Sequence, residues 1–210
     1  MKRGLTRIVG WAHELLAEVV AAGDLAVDLT AGNGHDVLML FQRVGRSGRV
    51  VAFDIQEQAL RATEQRLRDA GAEVQRIDAQ RPLAAGTGVS LVAASHAEMD
   101  RYLFAAPKAV MANLGYLPGG DQRLITRPET TRAALRTSCE LLAPGGRLAV
   151  VVYPGHAGGD EEALLVDDFF RSLPEQAFDV LCLRVGNRPA APYLQVAEKR
   201  RRADFLREHQ

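Results

Sequence analysis

Leu25-Ala26-Val27-Asp28-Leu29-Thr30-Ala31-Gly32-Asn33-Gly34-His35-Asp36 is the stretch of sequence that decides the fold. Its first five residues form a short apolar run with an acid near its end, which is typical of a buried strand. The polar, glycine-bearing turn that follows leads into a segment of helical spacing from about Asp36 to Val44. The pattern predicts a strand, a tight loop and a helix, the unit from which parallel α/β sheets are built.

This unit recurs along the chain. Apolar runs predict further strands over Arg49 to Asp54, Val89 to Ser95, Ala109 to Leu114 and Arg147 to Tyr153, alternating with helices over Ile8 to Ala21, Glu57 to Ala70 and Arg127 to Leu142. The last two strands, Phe178 to Val185 and Tyr193 to Ala197, have a short connection that is typical of an antiparallel hairpin. We therefore predict an α/β fold with a mostly parallel seven-stranded sheet, an antiparallel C-terminal hairpin and helices on both faces. The weaker pattern between Gly71 and Gly88 is expected to be a surface excursion, in which Val74 to Ile77 is either a short strand or part of the irregular chain marked by Pro82, Gly86 and Gly88.

The composition excludes several classes of protein. The chain has 210 residues, 47% of them hydrophobic and 25% charged, which is typical of a globular domain. No apolar run approaches the roughly 18 residues of a membrane helix, so we predict no membrane partner. The 26 basic and 26 acidic side chains cancel, so any patch that binds nucleic acid must be local. We expect one domain over residues 1–199, a basic tail over 200–210 and, since Met1 to Thr6 lacks a secretory pattern, a cytoplasmic location.

The glycine loop predicts a nucleotide-like ligand, because ligands bind beyond the carboxyl ends of strands in open α/β sheets. Asp54 follows Gly34 by 20 residues, the distance at which a dinucleotide fold places its ribose-binding carboxylate. The dinucleotide fingerprint also requires a small third residue, where this chain has Val37. Asp36 at the helix start disfavours a pyrophosphate, which needs that positive helix end for itself. An NAD-dependent oxidoreductase is therefore a disfavoured alternative.

S-adenosylmethionine fits the loop better, because it has no phosphate and carries a cationic sulfonium and ammonium. Asp28 and Asp36 suit such a cation, and Asp54 can accept both ribose hydroxyls. The simpler alternative is that Asp28 and Asp36 only cap the loop and the helix. We predict a cofactor site formed by Asp28, Thr30, Gly32, Asn33, Gly34, His35, Asp36, Asp54, Ile55, Gln56, Ser95, His96 and Asn113.

A second loop, Asn113-Leu114-Gly115-Tyr116-Leu117-Pro118-Gly119-Gly120-Asp121, is rich in turn formers and follows an apolar strand. It resembles the [N/D]-P-P-[Y/F] loop of amino-group methyltransferases, with Leu114-Gly115 in place of the two prolines. The resemblance implies that Asn113 accepts hydrogen bonds from a target amine and that Tyr116 stacks on the base. An uncharged amine needs acceptors and positioning more than a strong acid or base. The alternative is a tight turn with a buried tyrosine.

A third glycine-rich loop, Tyr153-Pro154-Gly155-His156-Ala157-Gly158-Gly159-Asp160, lies on the same predicted edge. His156 is either an acceptor for the proton released on methylation or a residue that holds the loop. No histidine, cysteine or carboxylate pair has metal-ligand spacing, so no metal is predicted. The candidate catalytic residues are Asn113, Tyr116 and His156, and the candidate substrate-binding residues are Leu114, Gly115, Gly119, Gly120, Asp121, Arg123 and Arg127.

With these loops in place, nearly the whole chain resembles the tRNA 5-(aminomethyl)-2-thiouridine methyltransferase family, whose members were formerly described as rRNA methylases. The resemblance rests on Val27 to Asp36, Phe53 to Gln56, Ser95-His96 with Asp100, Asn113 to Asp121, and Tyr153 to His156 with Gly158-Gly159. It implies a Rossmann-like class I methyltransferase that uses S-adenosylmethionine. It also implies a reaction at the tRNA anticodon, in which the aminomethyl group of the wobble uridine becomes methylaminomethyl, and a homodimer is a further expectation.

Three features depart from the family pattern: Thr30-Ala31 in place of Thr-Met or Ala-Thr-Met, the long stretch from Gly71 to Gly88, and the basic tail. These departures affect the prediction of the substrate more than the prediction of the methyl donor. Two alternatives to the tRNA reaction therefore stay open. An rRNA or small-molecule amine methyltransferase would share the donor site, whereas a non-catalytic binding module of this fold would not need the Asn113 loop.

Overall fold

The structure is a computed structural model that describes residues 4–78, 86–115, 119, 126–155 and 159–201. The α-helices within these ranges are α1 (Ile8–Ala17), α2 (His35–Val44), α3 (Glu57–Asp69), α4 (Pro128–Leu141) and α5 (Gly159–Arg171). A 3₁₀ helix covers His96–Tyr102. The strands are β1 (Leu25–Asp28), β2 (Arg49–Asp54), β3 (Val74–Ile77), β4 (Gly88–Ala93), β5 (Ala109–Asn113), β6 (Arg147–Val152), β7 (Phe178–Leu183) and β8 (Tyr193–Lys199). None of the helices in the described ranges is long and apolar enough to cross a bilayer.

One sheet contains all of these strands, in the order β3-β4-β2-β1-β5-β6-β8-β7. The pairs from β3 to β6 are parallel, and β8 runs antiparallel to both β6 and β7. The predicted α/β fold with its antiparallel C-terminal hairpin is thus confirmed.

The sheet has eight strands where the sequence predicted seven. The additional strand is β3, which lies in the expected surface excursion and pairs with β4 from Val74↔Val89 to Ile77↔Val92. Its apolar signal is weak because it is an edge strand, where only Ile77 is fully buried and Arg76 instead pairs with Glu57 on α3.

Helices cover both faces of the sheet, so the central strands are buried on both sides. Val27, Val51 and Val150 lie in a core on one face, and Ala26 and Val50 in a core on the other. This explains why β1, β2 and β6 read as continuous apolar runs instead of alternating ones. The residues at the carboxyl ends of β1, β2 and β5 are polar, namely Asp28, Asp54 and Asn113, and this edge of the sheet forms the site.

Gly34 joins the glycine loop to α2 and has φ +77°, a backbone conformation that favours glycine. A Cβ on this residue would lie 2.8 Å from the Cα of Thr63, closer than real Cβ contacts. Thr63 cannot withdraw, because its hydroxyl donates to the Gly32 carbonyl oxygen at 2.9 Å. The glycine loop and α3 can therefore approach each other this closely only because residue 34 has no side chain.

We predict that Gly34→Ala lowers the free energy of unfolding by more than the roughly 1–2 kcal/mol of a left-handed backbone alone. Gly119→Ala is the matched control, because Gly119 has φ +81° but nothing within 4 Å of its added Cβ. Urea denaturation of both variants measures the difference. Equal losses would show that the contact with Thr63 has no energetic role.

Candidate active site

A cavity of about 870 Å³ opens at the carboxyl edge of the sheet. Its volume is within the roughly 300–1,000 Å³ of small-molecule and cofactor sites. The loops after β1, β2, β4, β5 and β6 form its walls, since the carboxyl ends of these parallel strands meet at one edge. Among the predicted residues, those on the wall are Thr30, Gly32, Asn33, His35, Asp36, Asp54, Ile55, Gln56, Ser95, His96, Asn113, Leu114, Gly115 and Arg127.

Three predicted site residues are described but do not lie on this wall. Asp28 is completely buried at the end of β1, and Gly34 packs against Thr63. Both shape the glycine loop from beneath, where the sequence had predicted contact with the cofactor. Gly119 is exposed and also lies off the wall. The other predicted residues, Tyr116, Gly120, Asp121, Arg123 and His156, lie outside the described part of the chain.

Asp54 connects the glycine loop to the end of β2. Its Oδ2 accepts the Gly32 N–H at 2.9 Å, and its Oδ1 accepts the Gln56 N–H at the same distance. Burial raises the pKa of Asp54, and these backbone donors act in the opposite direction. A carboxylate can accept about four hydrogen bonds, so each oxygen keeps acceptor capacity toward the cavity. Asp54 can therefore hold two neighbouring hydroxyl groups, such as those of a ribose.

Asp28 supports the loop at an electrostatic cost. Its Oδ1 accepts the Thr30 N–H at 2.9 Å, while its buried Oδ2 has no hydrogen-bond partner among the described residues. Burial, followed by the charges of Asp36 and Asp54, raises the pKa of Asp28 well above its ordinary value. Three neighbouring carboxyl groups repel an anionic ligand and favour a cationic one.

His96 offers the cavity a neutral acceptor. Its Nδ1 lies 3.1 Å from the Leu29 carbonyl oxygen, and because a carbonyl only accepts, Nδ1 carries the proton. The buried Nε2 then holds a lone pair and has no partner among the described residues. Burial lowers the pKa of His96, so the ring is neutral at pH 7. The ring thus keeps an unfilled acceptor just behind the cavity wall, and a small shift of the ring would present it to a ligand N–H or O–H.

Asn113 ends β5 and is fixed on two sides. Its backbone N–H donates to Thr30 Oγ1 at 2.8 Å, which ties β5 to the glycine loop. Its side-chain Nδ2 donates to Asp36 Oδ2 at 3.3 Å. Because an ionised carboxylate only accepts, the amide must present its nitrogen to Asp36. The amide oxygen Oδ1 is then the atom left to accept a hydrogen bond from a ligand.

Tyr153 follows β6 and completes the wall beside Asn113. Its hydroxyl hydrogen-bonds with the Asn113 side chain, and burial together with the Asp36 charge raises the pKa of Tyr153. The hydroxyl is therefore protonated at neutral pH.

Two parts of the site were missed by the sequence analysis. The first is α1, from which Val9 reaches the cavity wall and His13 contacts Asp36. Val9 and His13 are four residues apart and so share one helical face. A histidine within the predicted first helix, one turn after Val9, was the available signal.

The second missed part is Glu162 on α5, which anchors Thr126, a described residue that follows the Asn113 loop in the chain. This buried carboxylate accepts the hydroxyl hydrogens of Thr126 and Thr131 at 2.6 and 2.7 Å. Thr126 in turn exchanges backbone and side-chain hydrogen bonds with Gly115. Gly115 and Thr126 are thereby held together at the mouth of the cavity.

We predict that Asp28→Asn stabilises the protein in the absence of ligand. The folded form of an acid with a raised pKa binds its proton more tightly than the unfolded form, so stability falls as pH rises from the ordinary value of 3.8 through the raised pKa. The amide of the variant carries no charge, and at pH 7 the gain should be on the order of 1 kcal/mol, or roughly 2–4 °C in the unfolding midpoint. Thermal unfolding between pH 4 and pH 8 measures it. A variant that is no more stable than wild type at pH 7 would show that the Asp28 charge costs nothing.

Comparison with known proteins identifies the family to which the chain belongs. Residues 50–199 match the family described as "Putative rRNA methylase". Over 196 residues the chain is 35% identical to the chloroplastic tRNA (mnm(5)s(2)U34)-methyltransferase of Arabidopsis thaliana, and the match covers 90% of this chain and 68% of that relative.

Solved structures agree. A "putative rRNA-methylase" from Clostridium thermocellum has 36% identity and a TM-score of 0.83, covering 95% of this chain and all of the other. A "putative methyltransferase" from Streptococcus mutans, solved in complex with SAH, has 32% identity and a TM-score of 0.78, covering 95% and 99% of the two chains. The resemblance predicted from the sequence motifs is confirmed, and the chain belongs to the rRNA methylase family, with the Rossmann-like fold of class I methyltransferases.

Proposed function

We propose that the protein uses S-adenosylmethionine to methylate the aminomethyl group of wobble 5-aminomethyl-2-thiouridine in tRNA, which gives the 5-methylaminomethyl form. The observation that carries the proposal is the orientation of Asn113, whose amide oxygen is left as an acceptor because Asp36 takes its nitrogen. The similarity to a relative named as a tRNA (mnm(5)s(2)U34)-methyltransferase supports the same reaction.

The cavity residues fit the cofactor. Asp54 would hold the two ribose hydroxyls, and Ile55, which is 66% exposed beside it, offers an apolar surface to a flat base. His96 Nε2 would accept a hydrogen bond from an N–H of that base. Asp36 would face the positive charges of the cofactor. When bound, S-adenosylmethionine supplies an electrophilic methyl group on a positively charged sulfur.

Asn113 would act on the methyl acceptor by orienting it. Its Oδ1 accepts one N–H of the neutral amine, which leaves the nitrogen lone pair free to point toward the methyl donor. An amide oxygen cannot protonate the amine and so does not quench the nucleophile. The hydrogen bond strengthens as positive charge develops on nitrogen, so it stabilises the transition state more than the ground state.

An RNA substrate is supported by arginines on the cavity wall and along α4, the helix that begins beside it. Arg127 lies on the wall, and Arg132 and Arg136 are exposed on α4, one turn apart and on the same face. Arginine at these positions can pair with phosphates even though the chain has no net charge. An rRNA or small-molecule amine would use the same donor site and is the second candidate. The homodimer and the cytoplasmic location stay predictions.

We expect Asp54→Ala to weaken S-adenosylmethionine binding at least about tenfold, because hydrogen bonds to a charged group contribute roughly 1.5–3 kcal/mol each. Isothermal titration calorimetry measures the affinity. Glu57→Gln is the matched control, since Glu57 is an exposed carboxylate three residues away that pairs with Arg61. If Asp54→Ala binds as tightly as Glu57→Gln, the ribose is held elsewhere.

We expect Asn113→Ala to lower kcat for tRNA methylation by about 10²-fold, the typical loss when one oriented group at a transition state is removed. Its affinity for S-adenosylmethionine should stay within a few-fold of wild type, because the side chain faces the methyl acceptor. The assay compares tRNA that carries the aminomethyl group with tRNA that lacks it. Equal methylation of the two tRNAs by the wild-type protein would rule out the amine as the acceptor.

A further inference from the structure

His13 on α1 does not line the cavity, but it makes a short contact with Asp36, which does. Its Nε2 lies 2.6 Å from Asp36 Oδ1, and both side chains are largely buried between α1 and α2. Because the carboxylate only accepts, Nε2 must carry a proton in this contact. Neither the proposed cofactor contacts nor the proposed methyl-acceptor contacts use His13.

Asp36 divides its two oxygens between two partners. Oδ1 accepts from His13, and Oδ2 accepts from Asn113 Nδ2. A carboxylate is planar and turns as one unit, so a donor that fixes one oxygen also fixes the direction of the other. His13 therefore sets the position of the oxygen that Asn113 binds.

The consequence for Asn113 follows from the symmetry of an amide. Its two ends have nearly the same shape, and only the partners decide which end faces the cavity. If Asp36 turned away, Nδ2 would lose its carboxylate acceptor and the Tyr153 hydroxyl would be the remaining partner of the amide. Because a hydroxyl both donates and accepts, it can bind either end of the amide, and the amide could then present a donor to the incoming amine. An N–H of Asn113 facing the amine would compete for the lone pair that must attack the methyl group.

We infer that His13 is a positioning residue that acts through Asp36 to keep the amide oxygen of Asn113 directed at the methyl acceptor. The inference rests on the proposed function, since it assigns His13 a part in the same reaction. It is separate from the docking of α1 on the sheet. Arg147 on β6 performs that docking from the far end of the helix, where it donates to the Leu15 carbonyl oxygen at 2.6 Å and pairs with Glu18 at 2.7 Å.

The test compares three variants in tRNA methylation. His13→Leu removes the donor, whereas His13→Gln restores one, because its Nε2 stands the same number of bonds from the backbone. Glu18→Gln weakens the docking of α1 without touching Asp36. We expect His13→Leu to lower kcat about tenfold, the effect of losing one charged hydrogen bond, with KM for tRNA and the affinity for S-adenosylmethionine changed less than about twofold.

His13→Gln should recover kcat to within about threefold of wild type, and Glu18→Gln should keep the wild-type value. An unchanged kcat in His13→Leu would overturn the inference. Equal losses in His13→Leu, His13→Gln and Glu18→Gln would also overturn it, because they would show that only the docking of α1 matters.

A second readout keeps this test independent of the proposed reaction. The side-chain amide of Asn113 gives a nitrogen–proton NMR signal, which Asn113→Ala identifies by its loss. We expect that signal to move in His13→Leu and to stay near its wild-type position in His13→Gln and Glu18→Gln. If the wild-type protein methylates no tRNA amine, the proposed function fails, and the NMR signal still decides the role of His13. A signal that does not move in His13→Leu overturns the inference.

Discussion

Parallel pairing of β1 with β2 on one side and β5 on the other is the constraint on which the site depends. The pairing brings Asp28 level with Ala52 on β2 and with Met111 on β5, so all three strands end at one edge. The loops that follow these strands therefore lie side by side, and hydrogen bonds connect them. Thr30 Oγ1 accepting from the Asn113 backbone is one such bond, and Asp54 accepting from Gly32 is another. The residues proposed to bind the cofactor and those proposed to bind the methyl acceptor are thereby held around one cavity.

The same edge concentrates negative charge, and this has opposite effects on stability and on binding. Asp28 is buried with one oxygen that lacks a partner among the described residues, and its neighbours Asp36 and Asp54 are close enough to raise its pKa. In the ligand-free protein this arrangement costs free energy. A ligand with a sulfonium and an ammonium would offset that cost, whereas a pyrophosphate would add to it. The carboxyl groups thus favour a cationic ligand such as S-adenosylmethionine over a pyrophosphate-bearing dinucleotide, although proteins of this general fold bind both.

The sequence was most informative where local pattern and function coincide. The 20-residue spacing from Gly34 to Asp54 predicted two neighbouring strand ends correctly, because one helix and one strand fill that distance. The sequence pattern left β3 undecided, because the two central residues of this edge strand are polar. The sequence also could not show that Asp28 lies beneath the glycine loop, because an aspartate that lines a cavity and one buried behind its wall are the same residue type.

His13 shows a different limit. It lies 23 residues from Asp36, and α1 has the ordinary amphipathic pattern of a packed helix, so nothing in the spacing links the two residues. The contact exists only because α1 folds back onto the sheet and α2. Such long-range pairs decide how Asn113 is oriented, whereas the local motif decides only that Asn113 is at the cavity.

The central claim is that the acceptor is the amine of the wobble nucleoside. Mass spectrometry of nucleosides tests it most directly, on aminomethyl-bearing tRNA that has been incubated with the protein and S-adenosylmethionine. We expect 5-methylaminomethyl-2-thiouridine to appear as 5-aminomethyl-2-thiouridine disappears, with no other nucleoside changed. A methyl group on any other base or ribose, with the aminomethyl nucleoside left intact, would contradict this claim.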